Sequence, residues 1–337
     1  MSAISKGSLV LVTGANGFIA SHTVDQLLIA GFKVRGTVRS EDKGKWLLDH
    51  FNKKYGPGSL EIAVVPDMSV KGAFDNAVKG VSGVVHMASI LTFDPDPQKV
   101  IPVVIAGIEH VLESTAAEPS VKRLVYTSSS TAATNPKPNV KFDIDENTWN
   151  EECVERAWAP GPIKEDRAWD VYGASKTQAE QALWKFVKEK KPHFVANSVL
   201  PNTNMGPIID PDNQPASTGN WVPDTYNGGT AMDTPAPQYH VDVRDCARLH
   251  VAALIDPEIQ NERVFAFTDP FNKNIIIDIL QELRPDHKFN NRLENPGNDL
   301  SVILRKPRTE EILRKNFGQE KLIPLRESVE ANIAHLK

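Results

Sequence analysis

The sequence predicts an α/β fold: a doubly wound parallel sheet with a smaller, mainly helical C-terminal region interleaved with it. Three observations predict it. Through the first two-thirds of the chain, short β-rich apolar runs alternate with longer helical patterns, the sequence form of βαβ units. A glycine-bearing turn, Thr13-Gly14-Ala15-Asn16-Gly17, directly follows the first run. The last third then changes character, with Pro, Gly, Asn and Asp concentrated in residues 202–238 and helical stretches beyond Phe267.

Residues 8–13, 33–38, 61–65, 83–87, 123–127 and 193–200 read as strands, each a short apolar run rich in β-branched residues. Between them, residues 18–30, 40–54, 72–79, 100–117 and 171–190 place apolar side chains three and four apart and read as helices. Residues 202–238, with isolated Trp221 and Tyr226, read as loops with short elements and suit a mobile cover over a ligand crevice. Helical stretches follow at 274–283 and 311–317. The expected division is one unit of residues 1–201 that also receives about 238–267, and a second built from 202–237 and 268–337.

Composition narrows the function. The 337 residues are 40% hydrophobic, enough for a sizeable core, and the net charge of −5 comes without a long basic run. Nucleic acid and anionic membrane are therefore not expected as partners. Cys153 and Cys246 lie far apart with no CxxC spacing, so neither a disulfide framework nor a zinc site is indicated, and a reducing cytoplasm fits best. The apolar stretch from Leu9 to Val12 is too brief for a membrane span or secretory signal. No HExxH run occurs, and no metal is expected.

The glycine turn carries the first chemical signal. Gly14 permits a tight turn, Gly17 lets the backbone approach a pyrophosphate, and small Ala20 allows the following helix to pack closely on the strand. The amides at that helix's N-terminus then face the phosphates of a dinucleotide. The end of the second strand selects which one. An NAD site usually has an acid there for the ribose 2′-hydroxyl. This chain has Thr37-Val38-Arg39-Ser40, with Lys43 one turn on. A guanidinium grips a 2′-phosphate, so NADP(H) is the expected cofactor. Arg35 is a second candidate for that grip. Asp67, after the third strand, is placed either to receive the adenine amino group or to cap the segment before Ser69.

The second signal is Tyr172 with Lys176. A helix sets residues four apart on one face, so the ammonium stands near the phenol and is expected to pull its pKa of about 10 toward neutrality. Such a pair suits proton transfer to a substrate oxygen. Upstream, the fifth strand ends Tyr126-Thr127-Ser128-Ser129-Ser130, where a hydroxyl can donate to a carbonyl gaining negative charge. His86, at a strand end, reads as a packed structural residue.

Taken together, these motifs resemble the extended short-chain dehydrogenase/reductase family, and within it the dihydroflavonol reductases and the yeast and fungal NADPH-dependent aldehyde and carbonyl reductases. The resemblance runs through 12–20, 34–40, His86-Met87-Ala88-Ser89, Thr127-Ser128-Ser129, Tyr172 to Glu180, Leu200-Pro201-Asn202 and Tyr239-His240-Val241-Asp242-Val243. It implies a Rossmann-type sheet, with Tyr172 donating the proton, Lys176 lowering its pKa and holding the nicotinamide ribose, and Ser129 orienting the carbonyl. The cofactor-binding set it implies is Thr13, Gly14, Asn16, Gly17, Phe18, Ile19, Arg39, Lys43, Asp67, Met68, Ala88, Ser89, Thr127, Pro201 and Asn202, besides Tyr172 and Lys176. Two departures stand out. Val104 occupies the position three before Gly107 where many members carry an Asn for a relay water, and Thr134 stands where dihydroflavonol reductases place an Asn toward the flavonoid ring.

The expectation is an NADPH-dependent carbonyl reductase acting on aldehydes or ketones, aromatic or apolar ones and ketoesters among them, with Thr131, Trp221, Val222 and Gln238 in the substrate pocket. Two alternatives share the fold: a nucleotide-sugar epimerase or dehydratase, and a non-catalytic NADP-sensing protein.

Overall fold

The strands read as unbroken apolar runs because helices cover both faces of the sheet they form. In a computed structural model describing residues 2–90, 92–214, 216–289 and 291–336, twelve strands and ten α-helices alternate among the described residues. The strands are β1 (Leu9–Thr13), β2 (Lys33–Val38), β3 (Leu60–Val64), β4 (Gly83–His86), β5 (Arg123–Thr127), β6 (Asp143–Ile144), β7 (Val195–Pro201), β8 (Thr203–Met205), β9 (Gln238–Asp242), β10 (Arg263–Ala266), β11 (Pro270–Phe271) and β12 (Val302–Ile303). The helices are α1 (Phe18–Ile29), α2 (Glu41–Tyr55), α3 (Pro97–Ala117), α4 (Glu151–Ala157), α5 (Ala168–Lys190), α6 (Trp221–Tyr226), α7 (Val243–Ile255), α8 (Lys273–Leu283), α9 (Lys306–Phe317) and α10 (Leu325–Asn332).

Seven strands pair in parallel in the order β10-β7-β5-β4-β1-β2-β3. The order reverses between β1 and β4, where Thr13 stands opposite His86. Open sheets of this kind bind ligands at the carboxyl ends beside that switch point. Two apolar cores flank the sheet. One packs α1, α2 and α7 through Val24, Leu27, Leu47, Phe51, Leu249 and Leu254. The other packs α3 and α5 through Val104, Ile108, Leu112, Val171, Ala174 and Leu183. By length and composition α3 could cross a membrane, but half of it is buried, and that buried stripe belongs to the second core.

Two expectations need correction. Residues 72–79 form consecutive turns, not a helix: Gly72 and Gly80 take φ +78° and +71° at the two ends, leaving too few residues to repay helix nucleation. The apolar spacing there still buries Phe74, Ala77 and Val78. The sheet has seven strands rather than six, because β10 adds to β7. β9 pairs with β8 and β11 in a small separate sheet.

The cover between β8 and β9 is anchored, in contrast to the loose segment expected. The Gln214 amide donates to Ser21 Oγ on α1 at 2.5 Å, Thr218 Oγ1 to the Asn204 carbonyl at 3.0 Å, and Asn332 Nδ2 to the Gly219 carbonyl at 2.9 Å. Beneath it, Met205, Val222, Met232, Phe271, Ile276, Leu280, Val329 and Ile333 form a smaller core of their own.

Candidate active site

The carboxyl edge of the sheet opens into a cavity of about 1040 Å³ between the large sheet and the cover. At one end stands the glycine turn. Gly14 has φ +64°, and a Cβ there would meet the Ala88 backbone at 3.0 Å, so a side chain is excluded twice over. Helix α1 starts at Phe18 with no side-chain cap and no acid in its first turn. Phe18, Ile19 and Ala20 line the cavity with Asn16 and Gly17, and the amides of a first helical turn have no partner within the helix. This is a cradle for an anion.

Arg39 and Lys43 reach the same cavity beyond β2. Arg39 is exposed, and among the described residues no ion pair holds it. Arg35 is committed elsewhere, to Glu61 at 2.6 Å and to the carbonyls of Ala77 and Lys79, which removes it as the 2′-phosphate grip. These residues fit a dinucleotide bearing a 2′-phosphate: an uncapped helix start, a glycine turn with no room for a side chain, and a free guanidinium where an acid would otherwise stand.

Not every predicted cofactor residue presents its side chain to the cavity. The Thr13 hydroxyl accepts from the Met87 and Ala88 amides, both at 2.9 Å, and meets His86 Nδ1 at 2.9 Å. Thr13 thus fixes the strand end that carries Ala88 and Ser89. The Thr127 hydroxyl is turned to His250 Nε2 at 2.8 Å. Asp67 accepts from the Ser69 amide and hydroxyl at 2.8 and 2.6 Å, the turn-closing role that is one of its two expected placements, and it stands between Pro66 and Met68, which line the cavity. Met68, Ala88, Ser89, Pro201 and Asn202 do line the cavity. His86 is buried, lies nearly parallel to the Tyr126 ring at 6.0 Å, and is pushed down to about 3 by burial and by Lys176; it is the structural residue expected.

At the other end Ser129, Tyr172 and Lys176 converge on the cavity. Ser128 is unavailable, since its hydroxyl donates to the buried Glu180 carboxylate at 2.7 Å. Ser129 instead caps a 3-10 turn at Ser130–Ala132, accepting from the Thr131 amide at 3.2 Å and the Thr131 hydroxyl at 2.9 Å. Lys176 is 5% exposed, its Nζ donates to Ser89 Oγ at 2.9 Å, and burial pushes its pKa down to about 8.

The tyrosine departs from expectation. Burial raises the Tyr172 pKa, while the hydroxyls of Ser129 and Thr131 pull it back. Burial outweighs any pull from the Lys176 ammonium, which sits 6.0 Å from the ring centroid and donates to Ser89. The phenol therefore keeps its proton at neutral pH.

Of the predicted substrate-pocket residues, Thr131, Trp221 and Gln238 line the cavity. Val222 does not: it is fully buried in the small core with Met205 and Phe271, since adjacent helix residues point about 100° apart. Two aromatic residues went unread. Phe93 stacks on the Tyr172 ring, centroids 5.2 Å apart, and Trp169 meets Phe93 edge-on at 5.0 Å. They are 42% and 49% exposed at the cavity rim. Trp169 precedes Tyr172 by three on one helix, a spacing visible in sequence; Phe93 comes from a distant loop. Also missed were Glu180, four residues beyond Lys176, and its partner Arg263, which donates to it at 2.9 Å.

Known proteins are similar to this chain over most of its length. Residues 11–191 match the 3-beta hydroxysteroid dehydrogenase/isomerase family. Aldehyde reductase 2 of Sporidiobolus salmonicolor is 42% identical over 97% of this chain and 95% of its own. The NAD-dependent epimerase/dehydratase terH of Aspergillus terreus is 39% identical over 95% of this chain and 94% of its own. The structure of Gre2 from Candida albicans in complex with NADPH superposes with a TM-score of 0.83 at 27% identity, covering 98% of both chains. With the parallel sheet, glycine turn and Ser-Tyr-Lys constellation in place, the chain belongs to the extended short-chain dehydrogenase/reductase family and is an oxidoreductase.

Proposed function

We propose that this protein is an NADPH-dependent carbonyl reductase that converts aldehydes or ketones, aromatic or apolar ones in particular, to alcohols. One observation carries the reading: Ser129, Tyr172 and Lys176 open onto the same cavity as the uncapped α1 terminus and Arg39. Bound NADPH would supply the hydride. Arg39 and Lys43 would hold the 2′-phosphate, Asn16 to Ile19 the pyrophosphate, and Pro201 with Asn202 would lie against the nicotinamide. Ser129 donates a hydrogen bond to the substrate carbonyl oxygen, and Tyr172 transfers its proton to that oxygen as negative charge develops. Lys176 holds the ribose and places a positive charge beside the phenolate left behind, which the neutral phenol does not need. The region built from 202–237 and 268–337 supplies the substrate side through Trp221, while Gln238 closes it from β9.

The rim favours planar apolar substrates. Phe93 and Trp169 pack around the phenol and Trp221 lines the same cavity, and stacked or edge-on aromatic pairs contribute roughly 0.5–1.5 kcal/mol beyond burial. The name of the Sporidiobolus relative supports a reductase. That of the Aspergillus relative raises an epimerase or dehydratase instead, for which Arg39 is the wrong charge beside a free 2′-hydroxyl. Protein purified with NAD already bound would favour that alternative. The decisive experiment follows NADPH oxidation across aromatic aldehydes, aryl ketones and ketoesters; reduction of none above background would sink the proposal.

A further inference from the structure

A serine hydroxyl has one hydrogen to give and two lone pairs to receive. On Ser129 both lone pairs are taken by one residue: the Thr131 amide at 3.2 Å and the Thr131 hydroxyl at 2.9 Å. The amide bond belongs to the cap of the Ser130–Ala132 turn and would exist with almost any residue at 131. The hydroxyl bond depends on threonine or serine there. With both acceptor sites occupied, the Ser129 hydroxyl can act only as a donor, and its hydrogen is left for the cavity side, where Tyr172 also stands. The backbone at 131 is fixed independently, since its carbonyl accepts from Asn150 Nδ2 at 2.8 Å.

We infer that Thr131 is a positioning residue for the reduction, setting the Ser129 hydroxyl as an obligate donor aimed at the substrate carbonyl oxygen. This differs from the substrate contact first expected of Thr131, and it rests on the carbonyl-reductase reading. A donor oriented before the substrate arrives has no reorganisation to undergo as the oxygen gains charge. A serine free to rotate would divide its time between donating and accepting.

The substitution Thr131→Val keeps the amide, the carbonyl and the branched shape, and deletes only the hydroxyl. With a carbonyl substrate that wild type reduces, kcat should fall roughly three- to tenfold, the loss of one neutral hydrogen bond. The Kd for NADPH, read by fluorescence titration, should stay at the wild-type value. Thr131→Ser should restore kcat, which a purely steric role would not predict. In single-turnover measurements on a Ser129→Ala background, Thr131→Val should have no further effect. Wild-type kcat in Thr131→Val, an undiminished loss in the Ser129→Ala background, or failure of serine to rescue would each overturn the inference while leaving the reductase reading intact. A wild-type protein that reduces no carbonyl compound would instead remove the reading beneath it.

Discussion

Lys176→Met should yield a protein that is more stable and yet inactive. The lysine is 5% exposed, and burial pushes its pKa from 10.5 down to about 8. The native state therefore favours the neutral amine, and between pH 8 and 10.5 the unfolded chain binds more protons than the native one. Stability contributed at this site rises with pH through that window, and below pH 8 the whole penalty stands. A shift of that size corresponds to roughly 3 kcal/mol. His86 on β4 and Tyr172 on α5 face the ammonium, and neither is a carboxylate that could offset the cost; Glu180, one turn further along α5, is spent on Arg263. Methionine has a similar length and no charge to desolvate, but it forfeits the bond to Ser89, about 1 kcal/mol. The net expectation is a gain of roughly 2 kcal/mol at pH 7 that has vanished by pH 10.5. Urea unfolding of both ligand-free proteins at the two pH values measures it, alongside a kcat expected to fall at least about a hundredfold. A methionine variant less stable than wild type at pH 7, or a difference independent of pH, would refute the reasoning.

Tyr172→Phe should keep the wild-type Kd for NADPH and lower kcat by roughly 10²–10⁴; substantial turnover would remove Tyr172 as proton donor. Arg39→Glu should raise the KM for NADPH roughly ten- to hundredfold and change that for NADH little, so equal effects in paired initial-rate measurements would deny Arg39 the 2′-phosphate. Val222→Ala opens a cavity in the small core and should cost about 2 kcal/mol in urea unfolding with little change in substrate KM. A KM increase at unchanged stability would return Val222 to the pocket.

The large sheet was legible because burial on both faces leaves an unbroken apolar signature, and the glycine turn because its steric demand falls on one residue, Gly14. Residues 72–79 misled because apolar spacing reports which side chains are buried and says nothing of whether the backbone between two glycines can complete a helix. β10 escaped notice as a four-residue strand opening on Arg263, whose charge makes sense only once Glu180 is known to face it. Trp221 and Val222 illustrate the same limit: both are large apolar residues in one short helix, and only the packing decides which meets the cavity and which the core. The error over the Tyr172 pKa has a different origin. Spacing on a helix gives proximity, but burial, which spacing does not report, raises the phenol's pKa, and the ammonium 6.0 Å from the ring centroid is held by a hydroxyl on a distant strand end.

Helix α5 connects these observations. Tyr172, Lys176 and Glu180 follow one another at intervals of four, drifting about 40° each time around the helix, and they pass from half-buried to 5% to fully buried. The last of the three is the anchor. Glu180 accepts from Ser128 on the segment bearing Ser129, from Ser198 on β7, and from Arg263 on β10, at 2.7, 2.7 and 2.9 Å. Arg263 is itself held by the carbonyls of Glu146 and Thr148 and lies over the Trp149 ring at 3.8 Å. A buried ion pair of this kind contributes little net stability, because desolvation consumes most of its Coulombic gain. Its position gives a better reason for its presence. One carboxylate ties the helix that carries Tyr172 to the strand end that carries Ser129, and the proton transfer proposed between phenol and substrate tolerates misplacement of well under an ångström. The separation between Tyr172 and Ser129 is thereby set inside the protein, eight residues along the helix from the phenol, where substrate entering the cavity cannot disturb it.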